Sequence, residues 1–201
     1  MVMRFAATSF RPGFGRGLSV VITAIAAAGL AGFIATGDWI GLARYGWGFA
    51  LLATTGITLF WLPRLDIDER EVTVRNVFST VHIPWSAIER IDTKWALTIY
   101  THGPTIAVWA SPAPSRYATG AAGPGDAKLA AGVSGTNPRP GDLLGTPSGA
   151  AAFIIRRHLE DLREDGLLDD SESAAVSRDI HWVTISALCA LTVATLLGAT
   201  L

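Results

Sequence analysis

When every Lys, Arg, Asp and Glu is marked along the chain, three long uncharged runs stand out as continuously apolar. Between Arg16 and Asp38 the sequence reads GLSVVITAIAAAGLAGFIATG, 21 residues, and between Arg44 and Arg64 it reads YGWGFALLATTGITLFWLP, 19 residues. After Asp179 the last 22 residues, IHWVTISALCALTVATLLGATL, contain no Lys, Arg, Asp or Glu and only His181, near their start, as a basic side chain. A helix needs about 20 mostly apolar residues to cross the ~30 Å hydrocarbon layer. Lipid also offers no partner to a backbone that is not internally bonded. The pattern predicts three transmembrane helices, over 17–37, 45–63 and 180–201. Trp39, Tyr45, Trp47, Trp61 and Trp182 fall near their ends, where amphipathic rings favour the interface. A cleaved signal peptide competes for the first run, because Arg4, Arg11 and Arg16 precede it. Its length exceeds the usual apolar core of such a peptide, about 7 to 15 residues, and a second span follows at once. Ala24, Ala28, Gly32 and Thr36 recur at every fourth position and would let another helix approach closely.

The period changes after Arg64. LDID, EVTVRNV, VHIPW, ERIDTKW, ALTIYT and TIAVWA alternate with period two and are rich in Val, Ile, Thr and Trp, which predicts six strands over 64–110. His102-Gly103-Pro104 marks a turn, with Leu97 and Ile99 sharing a face with Ile106 and Val108. His82-Ile-Pro-Trp-Ser-Ala-Ile-Glu-Arg-Ile91 fits neither period. Pro84 cannot donate a backbone bond and pushes Ile83 toward extended geometry. A strand that stops, turns and restarts is expected there, with Trp85, Ile88 and Ile91 all facing one core.

From 111 to 147 the sequence holds 6 Pro, 7 Gly and five scattered charges among 37 residues. Such a segment cannot bury enough apolar surface to offset its ordering entropy, so a flexible loop is expected. A helix follows over 148–166, with Ser148 as N-cap and Gly166 as its stop. Ala151, Ile155, Leu159 and Leu162 form its apolar face. A small sheet is marginal alone, and this helix is the available cover for its open face.

Composition supports the membrane reading. Hydrophobic residues make up 50% of the chain and charged residues 16%, against about 25% charged in an ordinary soluble domain. The net charge of -1 gives no global pull toward nucleic acid or anionic lipid. The first 16 residues carry three Arg and no acid, and Arg64, Arg70 and Arg75 follow the second span. The positive-inside rule then places residues 1–16 and the β-rich segment in the cytoplasm of a multi-pass cell-membrane protein, with the C-terminus outside. Cys189 is the single cysteine. It lies in an apolar run and has no partner for an internal disulfide.

Two N-terminal spans followed by LDIDEREVTVRN, VHIPWSAIERI, LTIY and IAVWA resemble the bacterial pleckstrin-homology-like membrane proteins of the low-molecular-weight antigen 6 type. The resemblance covers about 17–110. It implies a partly open antiparallel barrel closed by one amphipathic helix, with Trp85, Ile88 and Ile91 at a corner between strands, and it brings no catalytic motif. The fold class expected is therefore an α+β membrane protein, three spans plus a PH-like β-barrel or sheet. Eukaryotic pleckstrin-homology domains that hold phosphoinositides use a basic loop between their first two strands. The matching stretch here, Asp66-Ile-Asp-Glu-Arg-Glu71, has four acids and one Arg and would repel a phosphate.

Three function classes compete. His82, His102, His158 and His181 lack metal-ligand spacing, and no nucleophile elbow is present; Gly13 to Gly17 opens a span and is no dinucleotide loop. His158 is expected on the polar side of its helix and His82 on a strand face. No catalytic, metal or cofactor residue is expected, and the protein is not expected to be an enzyme. A transporter would place ionisable groups inside its spans, and here only His181, beside Trp182 at an end, qualifies. The remaining class is a membrane-anchored interaction or scaffold module with a protein or peptide partner, docked at a sheet edge or beside the closing helix. The alternatives to it are a lipid-headgroup module and a small accessory subunit of a transport or envelope complex. Oligomers through the spans are compatible with it, and nucleic acid is not an expected partner. Trp95, Tyr100 and Trp109 are the candidate contact surface.

Overall fold

The computed structural model describes residues 7–112, 145–168 and 175–200. The chain divides into two compact units, one β-rich and one helical.

In the β-rich unit, β1 (Thr8–Phe10), β2 (Arg64–Ile67), β3 (Glu71–Arg75) and β4 (Ser79–Pro84) pair antiparallel in succession, and β8 (Ser177–Ile180) completes a five-stranded sheet beside β4. A second antiparallel sheet holds β5 (Ile88–Asp92), β6 (Ala96–Thr101) and β7 (Ile106–Pro112). Period-two alternation turns Leu65, Ile67, Val72, Val74, Val81 and Ile83 inward from the first sheet, and Leu97, Ile99, Ile106 and Val108 inward from the second. They meet in one core. Each fully buried aliphatic side chain contributes roughly 1.5–3 kcal/mol relative to exposure.

Trp85–Ala87 is a single 3-10 turn between the two sheets, entered from Pro84 in extended geometry. The expected corner is there. Trp85 and Ile88 are buried and Ile91 packs half-buried on the same core. The Trp85 indole N–H donates to the Asp68 carbonyl at 3.1 Å, so its polar atom is satisfied where its ring is buried.

The strands form two sheets with no closed barrel, and the Pro84–Ala87 corner separates β4 from β5. The six strands expected over 64–110 are there as β2 to β7, and two more among the described residues, β1 and β8, lie outside that segment. β1 lies in the segment read as a simple N-terminal flank. With three residues it is too short to show a period, and only its Phe10 packs on the core. β8 is exposed at all four positions, so no apolar alternation announces it.

The closing helix, α3 (Pro147–Glu164), is capped by Thr146, whose hydroxyl accepts from the Gly149 N–H at 3.0 Å, with Pro147 in the first turn. Its cap is therefore Thr146 rather than Ser148. At the other end Gly166 has φ 65°, and the Gly166 and Leu167 amides donate to Arg163 and Leu162 carbonyls. That is a Schellman stop. Ala151, Ala152, Ile155 and Leu159 are buried in the β core. Arg156 and Arg163 donate to the Ile91 and Glu89 carbonyls of β5 at 3.2 and 3.3 Å. The Pro/Gly-rich stretch expected as a loop lies mostly outside the described residues; its first two, Ser111 and Pro112, finish β7.

The helical unit contains α1 (Gly13–Thr36), α2 (Trp39–Gly56) continuing into one π-helical turn (Ile57–Trp61), and α4 (Trp182–Gly198). A second Schellman stop at Gly37, φ 70°, ends α1, and the Asp38 carboxylate then accepts from the Gly41 N–H at 2.8 Å to start α2. Two residues thus reverse the chain. Gly56 lets α2 lie against Ile22 of α1, where a Cβ would come within 2.8 Å, and Gly198 of α4 lies against the Arg44 carbonyl of α2. The row Ala24, Ala28, Gly32 and Thr36 is exposed and does not make the contact between α1 and α2. Of the three expected spans, α1 alone among the described residues is a helix long and apolar enough to cross a membrane; α4 is apolar but has 17 residues.

Candidate functional site

The outward face of the second sheet carries the three aromatic residues singled out by sequence. Arg90 and Tyr100 are cross-strand partners, and the Arg90 guanidinium lies 3.7 Å from the Tyr100 ring centroid. Tyr100 is half-buried beneath it. Trp95 stands in the turn between β5 and β6, 79% exposed, with the Lys94 amine 5.6 Å from its ring. That turn is built by Asp92, whose carboxylate accepts from the Thr93 and Lys94 amides at 2.7 and 3.0 Å. Trp109 is 52% exposed. Asn76 pins its strand, donating to the Ala107 carbonyl and accepting from the Trp109 N–H at 2.8 and 2.9 Å.

The register separates these residues along the face. Thr98 pairs with Ala107, and the ladder then slips before Ala96 meets Pro112. Trp109 falls in the slipped stretch, toward Trp95, whereas Tyr100 lies two residues beyond Thr98 in the opposite direction. Trp95 and Trp109 therefore share the end near the β5–β6 turn. Tyr100 forms a distinct cation-π spot with Arg90, whose role the sequence pattern did not reveal. Cross-strand register was the missing information.

The groove between β5 and α3, an expected docking edge, is already occupied at two points. The Arg156 and Arg163 side chains hold the Ile91 and Glu89 carbonyls, which covers that edge against strand addition.

The outward face of the first sheet is polar. Ser9, Asp66, Thr73 and His82 sit opposite one another on four successive strands. Ser9 donates to Asp66 at 2.7 Å, Arg64 bridges Asp66 at 2.8 Å, and His82 Nδ1 lies 2.7 Å from Glu71 and Nε2 3.6 Å from Asp179. The acidic stretch 66–71 is thereby divided. Asp66 faces out from β2, and Asp68 caps the turn by accepting from the Arg70 and Glu71 amides at 2.8 and 2.9 Å.

His158 departs from its expected place. It packs edge-on against Trp85 with ring centroids 4.6 Å apart, instead of on the solvent side of α3. Burial pulls its pKa below the ordinary value, opposed by the charges of Asp161 and Glu69. His102 Nδ1 pairs with Glu89 at 2.8 Å on the surface. Among the described residues no group of three His, Cys, Asp or Glu side chains is placed to hold a metal ion.

Residues 62–158 match the family described as Bacterial PH domain. Neither a curated protein nor a solved structure matches the chain. The matched span starts at the last turn before β2 and ends inside α3, so it takes in β2 to β7, the Trp85 corner and the first part of the closing helix. Over this span the chain is similar to bacterial PH domains.

Proposed function

We propose that the protein is a multi-pass, membrane-anchored PH-like interaction module that presents its β-rich unit to a protein partner at the cytoplasmic face. The observation that carries this reading is the union, in one chain, of a segment similar to bacterial PH domains with helices whose large apolar side chains are uncovered. Val20, Val21, Ile25 and Ile34 of α1, Leu52 of α2, and Val183, Val193, Leu196 and Leu197 of α4 are all exposed. Monomeric soluble proteins seldom leave so much contiguous apolar surface in water. Three spans account for it: α1 by its own length, α2 by continuing through the π-helical turn to Trp61, and α4 at about 26 Å by helical rise, a modest mismatch that a bilayer tolerates.

PH domains are generally interaction modules without catalysis. The proposed partner surface is the outward face of β5–β7, where Trp95 and Trp109 are large and exposed, tryptophan being enriched in binding hot spots. The test is in-cell photo-crosslinking from position 107, between the two tryptophans and Arg90 on the same face, in the full chain. A discrete protein adduct is expected, lost in Trp95→Ala/Trp109→Ala. An adduct that persists undiminished in that variant removes this face from the reading.

A further inference from the structure

We infer that the first sheet carries a headgroup site for acidic phospholipid, formed by Arg11, Arg64 and Arg75 on neighbouring strands. This rests on the membrane-anchored reading above. Arg64 and Arg75 are direct cross-strand partners. Phe10 pairs with Leu65, and one further step of the same register sets Arg11 opposite Arg64. Phe10, Leu65 and Val74 face the core, so strand alternation turns all three arginines to the outward face.

Like charges directly opposite one another in a sheet are destabilising, and this row is poorly compensated. Asp66 answers Arg64 at 2.8 Å. Among the described residues no carboxylate pairs with Arg11 or Arg75, and the Arg75 Nε is buried without a hydrogen-bond acceptor. An anion bridging the row would offset that repulsion, and guanidinium groups hold phosphate oxygens through paired N–H donors.

Chain connectivity names the anion. Arg11 stands two residues before Gly13, where α1 begins, and Arg64 three residues after Trp61, where the π-helical turn ends. Extended chain covers at most ~3.5 Å per residue, so each arginine is within about 7–10 Å of chain from a helix terminus. The phosphates available at that distance from a spanning helix are those of the bilayer. The site differs from the loop that holds phosphoinositides in eukaryotic PH domains: here that turn is Asp68, Glu69 and Arg70, at the opposite end of β2 and β3.

The test titrates the full chain, purified in neutral detergent, with phosphatidylglycerol or phosphatidylcholine, following thermal unfolding by tryptophan fluorescence. Phosphatidylglycerol is expected to raise the midpoint at concentrations where phosphatidylcholine does not. One basic residue near an anionic surface is worth about fivefold in affinity, so Arg75→Gln should shift the titration by roughly that factor and Arg11→Gln/Arg75→Gln by roughly 25-fold. Arg75→Lys should keep most of the response, and Arg157→Gln, on the exposed side of α3, all of it. Because neither Arg11 nor Arg75 has an acid partner among the described residues, the lipid-free midpoint of the double variant should match the parent. An equal response to both lipids, or a full response in the double variant, overturns the site while leaving the anchor intact. The same shift with glycerol phosphate alone overturns the bilayer as its source. Absence of the chain from the membrane fraction of cells overturns the anchor and this site together.

Discussion

At the scale of single residues, the Trp85–His158 pair joins the corner to the closing helix. Trp85 is nearly fully buried, its indole nitrogen is committed to Asp68, and the His158 ring packs on it edge-on. Because burial lowers the His158 pKa from 6.5, the unfolded chain takes up this proton before the folded one as the pH falls. The associated stability is complete above about pH 6.5 and is lost as the pH drops through the lower folded value. Asp161 and Glu69 soften the effect without reversing it. In full-chain protein in detergent, the unfolding midpoint should fall more between pH 7 and pH 5.5 for the parent than for His158→Gln. A larger fall in the variant would mean that the histidine gains a partner on protonation. Trp85→Ala should cost about 3–5 kcal/mol, the range for emptying a large aromatic site, without the pH signature.

At the scale of elements, the ends of α3 are set by residues outside its apolar face. Thr146→Ala removes the acceptor for the Gly149 amide and should lower stability by about 1 kcal/mol. Gly166→Ala places a side chain at φ 65° and should cost about 1–2 kcal/mol. Both changes are read in the same thermal assay, and both spare the packing of Ile155 and Leu159. These elements also show what a linear pattern can and cannot reveal. β2 to β7 were legible because each alternates several aliphatic residues with polar ones, and the helix was legible because Ala151, Ile155 and Leu159 recur on one stripe. β1 and β8 were not, since one offers a single core residue and the other none; only pairing with β2 and β4 makes them strands. The side-by-side placement of Arg90 with Tyr100, and of Arg64 with Arg75, is a property of register. The residues of each pair are about ten apart in sequence, and no local period connects them.

At the scale of the whole molecule, the three-span reading assigns each segment to one side of a bilayer. Three Arg without acids precede α1, and Arg64, Arg70 and Arg75 follow the π-helical turn, whereas the tight Gly37-Asp38 reversal has only Arg44 nearby. On the proposed three-span reading, that asymmetry would orient the first two spans with both outer ends inside, and a third span would then carry the C-terminus out. The prediction can be read in intact cells. With Cys189→Ser to remove the native thiol, single cysteines at Ser134 and Thr200 should differ toward an impermeant thiol reagent: the second labels and the first does not. Labelling at both positions would mean that α4 does not span, which would leave its exposed Val183, Val193 and Leu196 to be covered by protein. Labelling at Ser134 alone would invert the topology. The arginine row would then face the outer leaflet, and the partner for Trp95 and Trp109 would have to be sought among envelope components.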